Sequence, residues 1–225
     1  MYLFSEGSRE YDFLLKILSL GRDNYWRDST VEKANLGAGG KVLDIACGTG
    51  LLSFRFATNN NMVVGVDITR EMLQRANCLI DKMGNCPDIN LIQARAENLP
   101  LRSGIFDCAT ISLATRNVSS VPQTFAEMNR CVGPDCPIIS MDFTKPRGRI
   151  FGPFYSFYTF RVLPALGLVI SRHWNGIFAY LAGSIVRSKS PEELSNIMQD
   201  VGLKDIKIKR MTHGVTALVS GSKKS

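Results

Sequence analysis

Two carboxylates and a glycine turn carry the chemistry that can be read from this 225-residue chain. Asp44 lies inside the apolar run KVLDIA (41–46), Gly48 and Gly50 flank Thr49 directly after it, and Asp67 ends the next apolar run, MVVGVD (62–67). Glycine in such a turn lets the backbone come close to a ligand. Asp67 falls 17 residues after Gly50, where a carboxylate can accept both hydroxyls of a ribose. A dinucleotide would need a third glycine to pack helix on strand, with the helix N-terminus facing a pyrophosphate. Ser53 occupies that third position, and the carboxylate of Asp44 beside the turn suits a cationic ligand better than a pyrophosphate. S-adenosylmethionine has an ammonium, a sulfonium and no phosphate. The stretch D-x-A-x-G-T-G, with Asp44, Ala46, Gly48, Thr49 and Gly50, followed by Asp67 and its neighbour Ile68, therefore reads as its site.

The elements that must position these residues alternate along the chain. The short apolar runs 41–46, 62–67, 89–94, 106–113 and 137–143 read as buried parallel strands. ITREMLQRANCLIDKMG reads as an amphipathic helix with Thr69 as N-cap and Gly84 as its stop. Another helix is expected over 121–131. SPEELSNIMQDVG (190–202) has Ser190 as N-cap, Pro191 in the first turn and Glu193 placed for a capping box. KDIKIKR and GVTALVSG read as a closing antiparallel pair. The pattern predicts one α/β domain: a doubly wound, Rossmann-like sheet of seven strands with a helical, aromatic-rich insertion before the last helix. Its expected parts are an N-terminal helical cap (1–36), a cofactor-binding core (37–145), an inserted substrate lid (146–188) and the closing helix and strands (189–225).

Composition excludes several classes. Hydrophobic residues at 45% and charged residues at 21% are ordinary globular usage, not that of a disordered or fibrous chain. The six cysteines form no CxxC pair and there are two histidines, so no metal site is expected, and unpaired cysteines fit a reducing compartment. The N-terminal stretch carries Glu6 and no apolar h-region, so no signal peptide is expected there. The apolar segment 150–171 is broken by Arg161, Pro153, Pro164 and Gly167, so it is expected not to span a membrane.

Charge is uneven. Residues 1–142 hold 14 basic against 16 acidic side chains, and residues 143–225 hold 13 against 4. Nine of the 20 aromatics fall between 150 and 180. Basic residues among aromatics fit a nucleic-acid surface, an anionic membrane interface, or an apolar pocket with cationic rims. A helical cap packed on the core would also account for them.

DIACGTGLLSF looks like the first motif of class I S-adenosylmethionine-dependent methyltransferases. The whole chain resembles, more closely, the C-methyltransferases of menaquinone and ubiquinone biosynthesis. EYDFLLKILSLGRDNYWR is similar to that family's N-terminal segment, RAENLPL to its A-E-x-L-P loop, ISLATRNV to its ISFGLRNV and MDFTKP to its LEFSKP. YSFYTFRVLPALG, AYLAGSIVRSKSPEEL and MTHGVTAL resemble its Tyr-rich VLP, YLxESI and LTGGVVAL segments. The resemblance implies cofactor contacts at Tyr11, Thr49, Asp67, Arg95, Ala96, Glu97 and Ser112. It implies acceptor-facing roles for Arg116 and Asn117, with Arg116 stabilising an oxyanion or orienting a water and not itself acting as the base. Tyr155, Tyr158 and Arg161 in the lid and His213 in the last turn are the candidate substrate contacts. The chain departs from the family pattern at Arg95, Gly183, His213 and in LATRN for FGLRN. Gly183 and His213 bear on the acceptor more than on the reaction.

The expected activity is methyl transfer from S-adenosylmethionine to a ring carbon of a prenylated quinol, on the cytoplasmic side and peripheral at the membrane's inner face. A phenol oxygen, an amine or another isoprenoid ring are the alternative acceptors. An anionic membrane surface and a second copy of the chain are the further partners considered. Nucleic-acid modification is disfavoured, because SLATRN has neither the Pro nor the aromatic of the D/N-P-P-Y/F turn that holds a base.

Overall fold

The computed structural model describes residues 13, 15–82, 88–146, 149, 151–170, 176, 178 and 183–224. Tyr11, Gly84, Arg147, Arg172, His173, Trp174 and Tyr180 lie outside them. Seven strands form one sheet: β1 (Lys41–Ile45), β2 (Met62–Asp67), β3 (Ile89–Gln93), β4 (Cys108–Ser112), β5 (Pro137–Phe143), β6 (Leu203–Met211) and β7 (Thr216–Lys223). Their order is β3-β2-β1-β4-β5-β7-β6. The first five are parallel to their neighbours, and β7 runs antiparallel to both β5 and β6. The winding reverses between β1 and β4, so the crevice beyond their carboxyl ends is where such a sheet takes a ligand. This is the seven-stranded doubly wound sheet expected from the apolar runs.

Helices cover both faces. α1 (Asp23–Ala34), α2 (Leu51–Ala57), α3 (Arg70–Lys82) and α4 (Val121–Cys131) are followed by α5 (Phe151–Phe157), a π-turn (Tyr158–Val162), α6 (Leu163–Ile170) and α7 (Pro191–Asp200). One face buries Trp26, Phe56 and Phe143, and the other Phe125, Met128, Leu194 and Met198. The α7 capping box forms as its sequence predicts: the Ser190 N–H donates to Glu193 Oε2 at 2.7 Å, and the Glu193 N–H donates to Ser190 Oγ at 3.1 Å. β4 is shorter than the expected 106–113. Phe106 makes a single bridge to Val132, and Leu113 leaves the strand with φ 55°.

The described part of the aromatic segment is built into the domain. Tyr155, Leu163, Phe178 and Ile185 belong to the same buried cluster as Trp26 and Phe143. Tyr155 and Tyr158 donate their hydroxyls to the carbonyls of Leu18 and Ile17 at 2.9 and 3.1 Å, tying the segment to the helical turn over 15–18.

Trp26 joins three parts of the chain. It is fully buried in α1, stands edge-on to Phe143 of β5 with ring centroids 5.7 Å apart, and donates Nε1–H to Thr212 Oγ1 at 2.8 Å in the β6–β7 turn. Trp26→Ala removes this packing and orphans the threonine. It is expected to lower stability by about 3–5 kcal/mol, read as a shift of the urea unfolding midpoint.

Candidate active site

Two adjoining cavities open at the switch point. The larger, about 430 Å³, is lined by Ala46, Gly48, Asp67, Ile68, Arg95, Ala96, Glu97, Ser112, Arg116 and Asn117 among others. That is within the usual size of a small-ligand site. The smaller, about 40 Å³, adjoins it through Ala46, Gly48, Ser112 and Leu113, and adds Asp44, Cys47, Thr49 and Arg27. Every expected cofactor residue among the described ones therefore lines one cavity or the other except Gly50. Its φ of 81° turns the chain into α2.

Asp67 sits at the end of β2 with one backbone donor on each carboxylate oxygen. Gly48 N–H reaches Oδ2 and Thr69 N–H reaches Oδ1, both at 2.8 Å. Gly48 makes its bond with φ 57°, and a Cβ there would meet nothing within 4 Å, so the turn leaves open space over the carboxylate. Burial holds the Asp67 carboxyl above its ordinary range, and those N–H bonds oppose the rise. Its remaining lone pairs suit hydroxyl donors such as a ribose diol.

Asp44 is deeper. It is 1% exposed in β1, with Oδ2 accepting from Ser53 Oγ at 2.6 Å and Oδ1 from Thr110 Oγ1 at 3.1 Å. Burial pushes it up to about 6 against these two bonds and the charge of Arg27. Ser53, which breaks a dinucleotide pattern, thus supports the carboxylate that defines the other one. Ala46 and Leu113 leave the ends of adjacent strands β1 and β4 with φ of 52° and 55°. Side chains rarely adopt that region, and such strain gathers at ligand sites. Both residues line both cavities.

The far wall is pinned across two loops. Glu97 accepts from the N–H groups of Ser119 and Ser120 at 2.6 and 3.3 Å, while Arg95 Nη2 donates to Ser119 Oγ at 3.0 Å. Desolvation of Glu97 is outweighed by its backbone donors and Arg95, and its carboxyl is held below the ordinary range.

Arg116, expected to meet acceptor oxygens, is held from within. Its Nη1 donates to Asp142 Oδ1 and to the Leu113 carbonyl, both at 2.6 Å, and Nε donates to Ser184 Oγ at 3.1 Å. Its side chain and that of Asp142 are each 2% exposed, and the guanidinium lies 5.3 Å from the Phe143 ring centroid. Asp142 also accepts from the Thr115 N–H and, through a short bond, from its hydroxyl. Of the candidate substrate contacts, none lines either cavity. Tyr155 is buried, Tyr158 half-buried and Arg161 exposed, and exposed His213 lies tilted against Phe151 with centroids 4.8 Å apart. Tyr11 is outside the described residues. Sequence reasoning missed Arg27, Leu113, Thr69 and Met72. Thr69 and Met72 follow from the start of α3 directly after Asp67, but Arg27 carries no such signal, because α1 has no apolar stripe to set its faces.

The donor set fits S-adenosylmethionine. Its cleft offers a carboxylate at ribose distance along the chain and a second, buried carboxylate toward a cation, on a fold that orients both at the switch point. The fold matches a crystal structure of an S-adenosylmethionine-dependent methyltransferase from Aquifex aeolicus (TM-score 0.62, 17% identity, 87% of this chain and 88% of that one). Fold and site together define a class I methyltransferase. The model of the ubiE/COQ5 methyltransferase family matches residues 1–223, and the chain belongs to that family. Proteins named ubiquinone/menaquinone biosynthesis C-methyltransferase UbiE are 34% identical in Citrifermentans bemidjiense, over 98% of this chain and 94% of that one, and 35% identical in Hahella chejuensis, over 98% and 90%. The protein is an S-adenosylmethionine-dependent methyltransferase.

Asp44 gives the ligand-free protein a distinctive pH dependence. Its folded pKa, about 6, lies above the ordinary 3.8. The folded state therefore binds the proton more tightly, and this group's contribution falls as pH rises from about 4 to about 6 and is level above. Urea midpoints measured across pH for the wild type and Asp44→Asn should differ by a curve of that sign; a flat difference would contradict it.

Proposed function

We propose that the protein methylates a ring carbon of a prenylated quinol, demethylmenaquinol or a close relative, in respiratory quinone biosynthesis. The observation that carries this reading is that one cleft of about 430 Å³ runs from Asp67 to Arg116 and Asn117, so that cofactor and candidate acceptor residues share one space. The name shared by the relatives supports the substrate class.

Bound S-adenosylmethionine supplies a methyl carbon made electrophilic by its sulfonium. The chain must bring an electron-rich ring carbon to about 3 Å from that methyl, in line with the sulfur, which alone accounts for a large part of the rate. A quinol ring is electron-rich enough; the oxidised quinone is not. Transfer would replace a ring C–H by C–CH3, with the methyl donor held beside Asp44 and Asp67 and the ring proton passing to a base. Arg116, fixed by Asp142, Ser184 and the Leu113 carbonyl, holds a positive charge at the cleft wall that favours phenolate character in the acceptor. Asn117 stands beside it in the same wall. The guanidinium stays protonated and orients the acceptor or a water; it does not take the proton.

The test uses purified protein, methyl-labelled S-adenosylmethionine and short-tailed demethylmenaquinol, with and without prior reduction. A ring-carbon methyl located by mass spectrometry only in the reduced sample is the expected result. No transfer with cofactor binding intact would move the assignment to another phenolic, amine or isoprenoid acceptor.

The same reading brings the protein to its lipid-soluble acceptor at a membrane surface. Phe154 and Phe157 are 59% and 61% exposed, Phe160 is exposed three residues on, and Arg161 is beside it. Such aromatics next to cations suit an anionic interface. Among the described residues no helix is long and apolar enough to cross a membrane. Co-sedimentation with anionic vesicles at low salt is expected, weaker with neutral vesicles and in Phe154→Ser/Phe157→Ser; equal recovery with all three rejects it.

A further inference from the structure

Arg116 is held at more points than a buried ion pair needs. Its guanidinium has five N–H donors. The two on Nη1 go to Asp142 Oδ1 and the Leu113 carbonyl, each at 2.6 Å, and the one on Nε goes to Ser184 Oγ at 3.1 Å. Nη2 has no partner among the described residues and is not sealed from solvent. The group lines the larger cavity, with its side chain 2% exposed. One bonded edge would leave the plane free to swing about Asp142. The bond to Ser184 takes a second edge, and the Phe143 ring, with its centroid 5.3 Å from the guanidinium carbon, covers a face. Both anchors are themselves fixed. Asp142 accepts from the N–H groups of Thr115 and Phe143 as well as from Arg116. Ser184 precedes Ile185, which is buried in the cluster of Trp26 and Phe143. For stability alone, such a buried pair offers little that a packed apolar pair would not. At a cavity wall it fixes the direction of the remaining amino group.

We propose that Asp142 and Ser184 are positioning residues for the transfer: they hold Arg116 at two edges so that Nη2 meets an oxygen of the acceptor ring. This rests on the quinol reading of the cleft and adds the residues that aim its charge. Ser184 is the more informative of the two. It belongs to the inserted segment and lines neither cavity, so through it the segment acts on the ring from behind the cleft wall. A guanidinium bonded at one edge still reaches an acceptor oxygen, so binding survives the loss of an anchor. It does not keep the ring carbon in line with the methyl, where a misplacement of about 1 Å costs on the order of 100-fold. Removing an anchor therefore lowers kcat, while KM and the affinity for the cofactor change little.

The experiment measures kcat and KM for methyl transfer to reduced, short-tailed demethylmenaquinol, with the affinity for S-adenosylhomocysteine taken from calorimetry. Ser184→Ala should lower kcat roughly 10-fold, the low end for a bond to a charged group. The quinol KM and the S-adenosylhomocysteine affinity should stay within about threefold of wild type. Ser184→Cys, a weaker acceptor of similar shape, should change kcat in the same direction and serves if the alanine variant does not fold. Asp142→Asn keeps the shape and loses the charge, and should lower kcat further. Arg116→Lys keeps the charge and has no Nε donor, so Ser184→Ala added to it should change kcat less than about twofold. A wild-type kcat in folded Ser184→Ala or Asp142→Asn overturns the proposal. So does a loss confined to KM, a parallel loss of S-adenosylhomocysteine affinity, or an undiminished effect of Ser184→Ala in the Arg116→Lys background. A wild type that binds S-adenosylhomocysteine and transfers nothing to the quinol counts instead against the acceptor reading, and removes this proposal with it.

Discussion

A carboxylate buried at the end of a parallel strand is costly unless its surroundings are fixed to receive it, and Asp44 imposes that cost here. Ser53 reaches it from α2 and Thr110 from β4. The turn between β1 and α2 must therefore bring the helix close to the strand, and β4 must be in register beside β1. The left-handed Ala46, the open Gly48 turn and the left-handed Leu113 follow from the same constraint, since both strands must end abruptly to leave a space above the acid. Asp67 completes it. Its carboxylate grips the Gly48 and Thr69 N–H groups, so one acid shapes the turn that the other lies beneath. In the empty cleft burial pushes the Asp44 carboxyl up to about 6, and a cationic ligand would favour its charged form.

The cleft wall at Arg116 is fixed by a second buried acid. Asp142, in β5, gathers Thr115, Arg116 and its own neighbour Phe143. Arg116 in turn reaches Ser184, in the helical turn over 183–187. The loop after β4 is therefore connected at one end to the sheet and at the other to the inserted segment. A movement of that segment would be transmitted to the cleft wall through one guanidinium. This is a more specific role than the oxyanion contact suggested by the sequence, and compatible with it, since a cation locked in place is pre-organised for a developing negative charge.

Much of this was legible from local pattern. Runs of apolar residues gave β2 and β5 to the residue and α4 over 121–131, and Ser190 with Glu193 gave the cap of α7. Asp44, Gly48 and Asp67 were legible because the topology of such sheets puts strand ends and turn together without needing any distant partner. What was not legible depends on pairs far apart in the chain. Asp142 lies 26 residues beyond Arg116, so an arginine read as facing the acceptor is also a buried ion pair. Tyr155 and Tyr158 read as substrate contacts because they are aromatic and clustered, yet their hydroxyls are directed to carbonyls 137 and 141 residues earlier. Ser53 read only as a missing glycine, because its hydroxyl's partner is nine residues back on another element.

These differences divide the molecule by how it holds its ligands. The cleft at Asp44 and Asp67 is built from strand ends and backbone N–H groups, which the sheet fixes. The inserted segment has aromatics that partly serve the core and partly, as at Phe154 and Phe157, stand in solvent. Two departures from the family pattern, Gly183 beside Ser184 and His213 against Phe151, fall in it or against it. Gly183 brings no side chain to the turn that contacts Arg116, and His213 adds a ring to the edge of α5 through a left-handed backbone that strains a non-glycine residue. The sheet's strand ends thus build the cleft, and the inserted segment is tied to the cleft wall through the bond from Arg116 to Ser184.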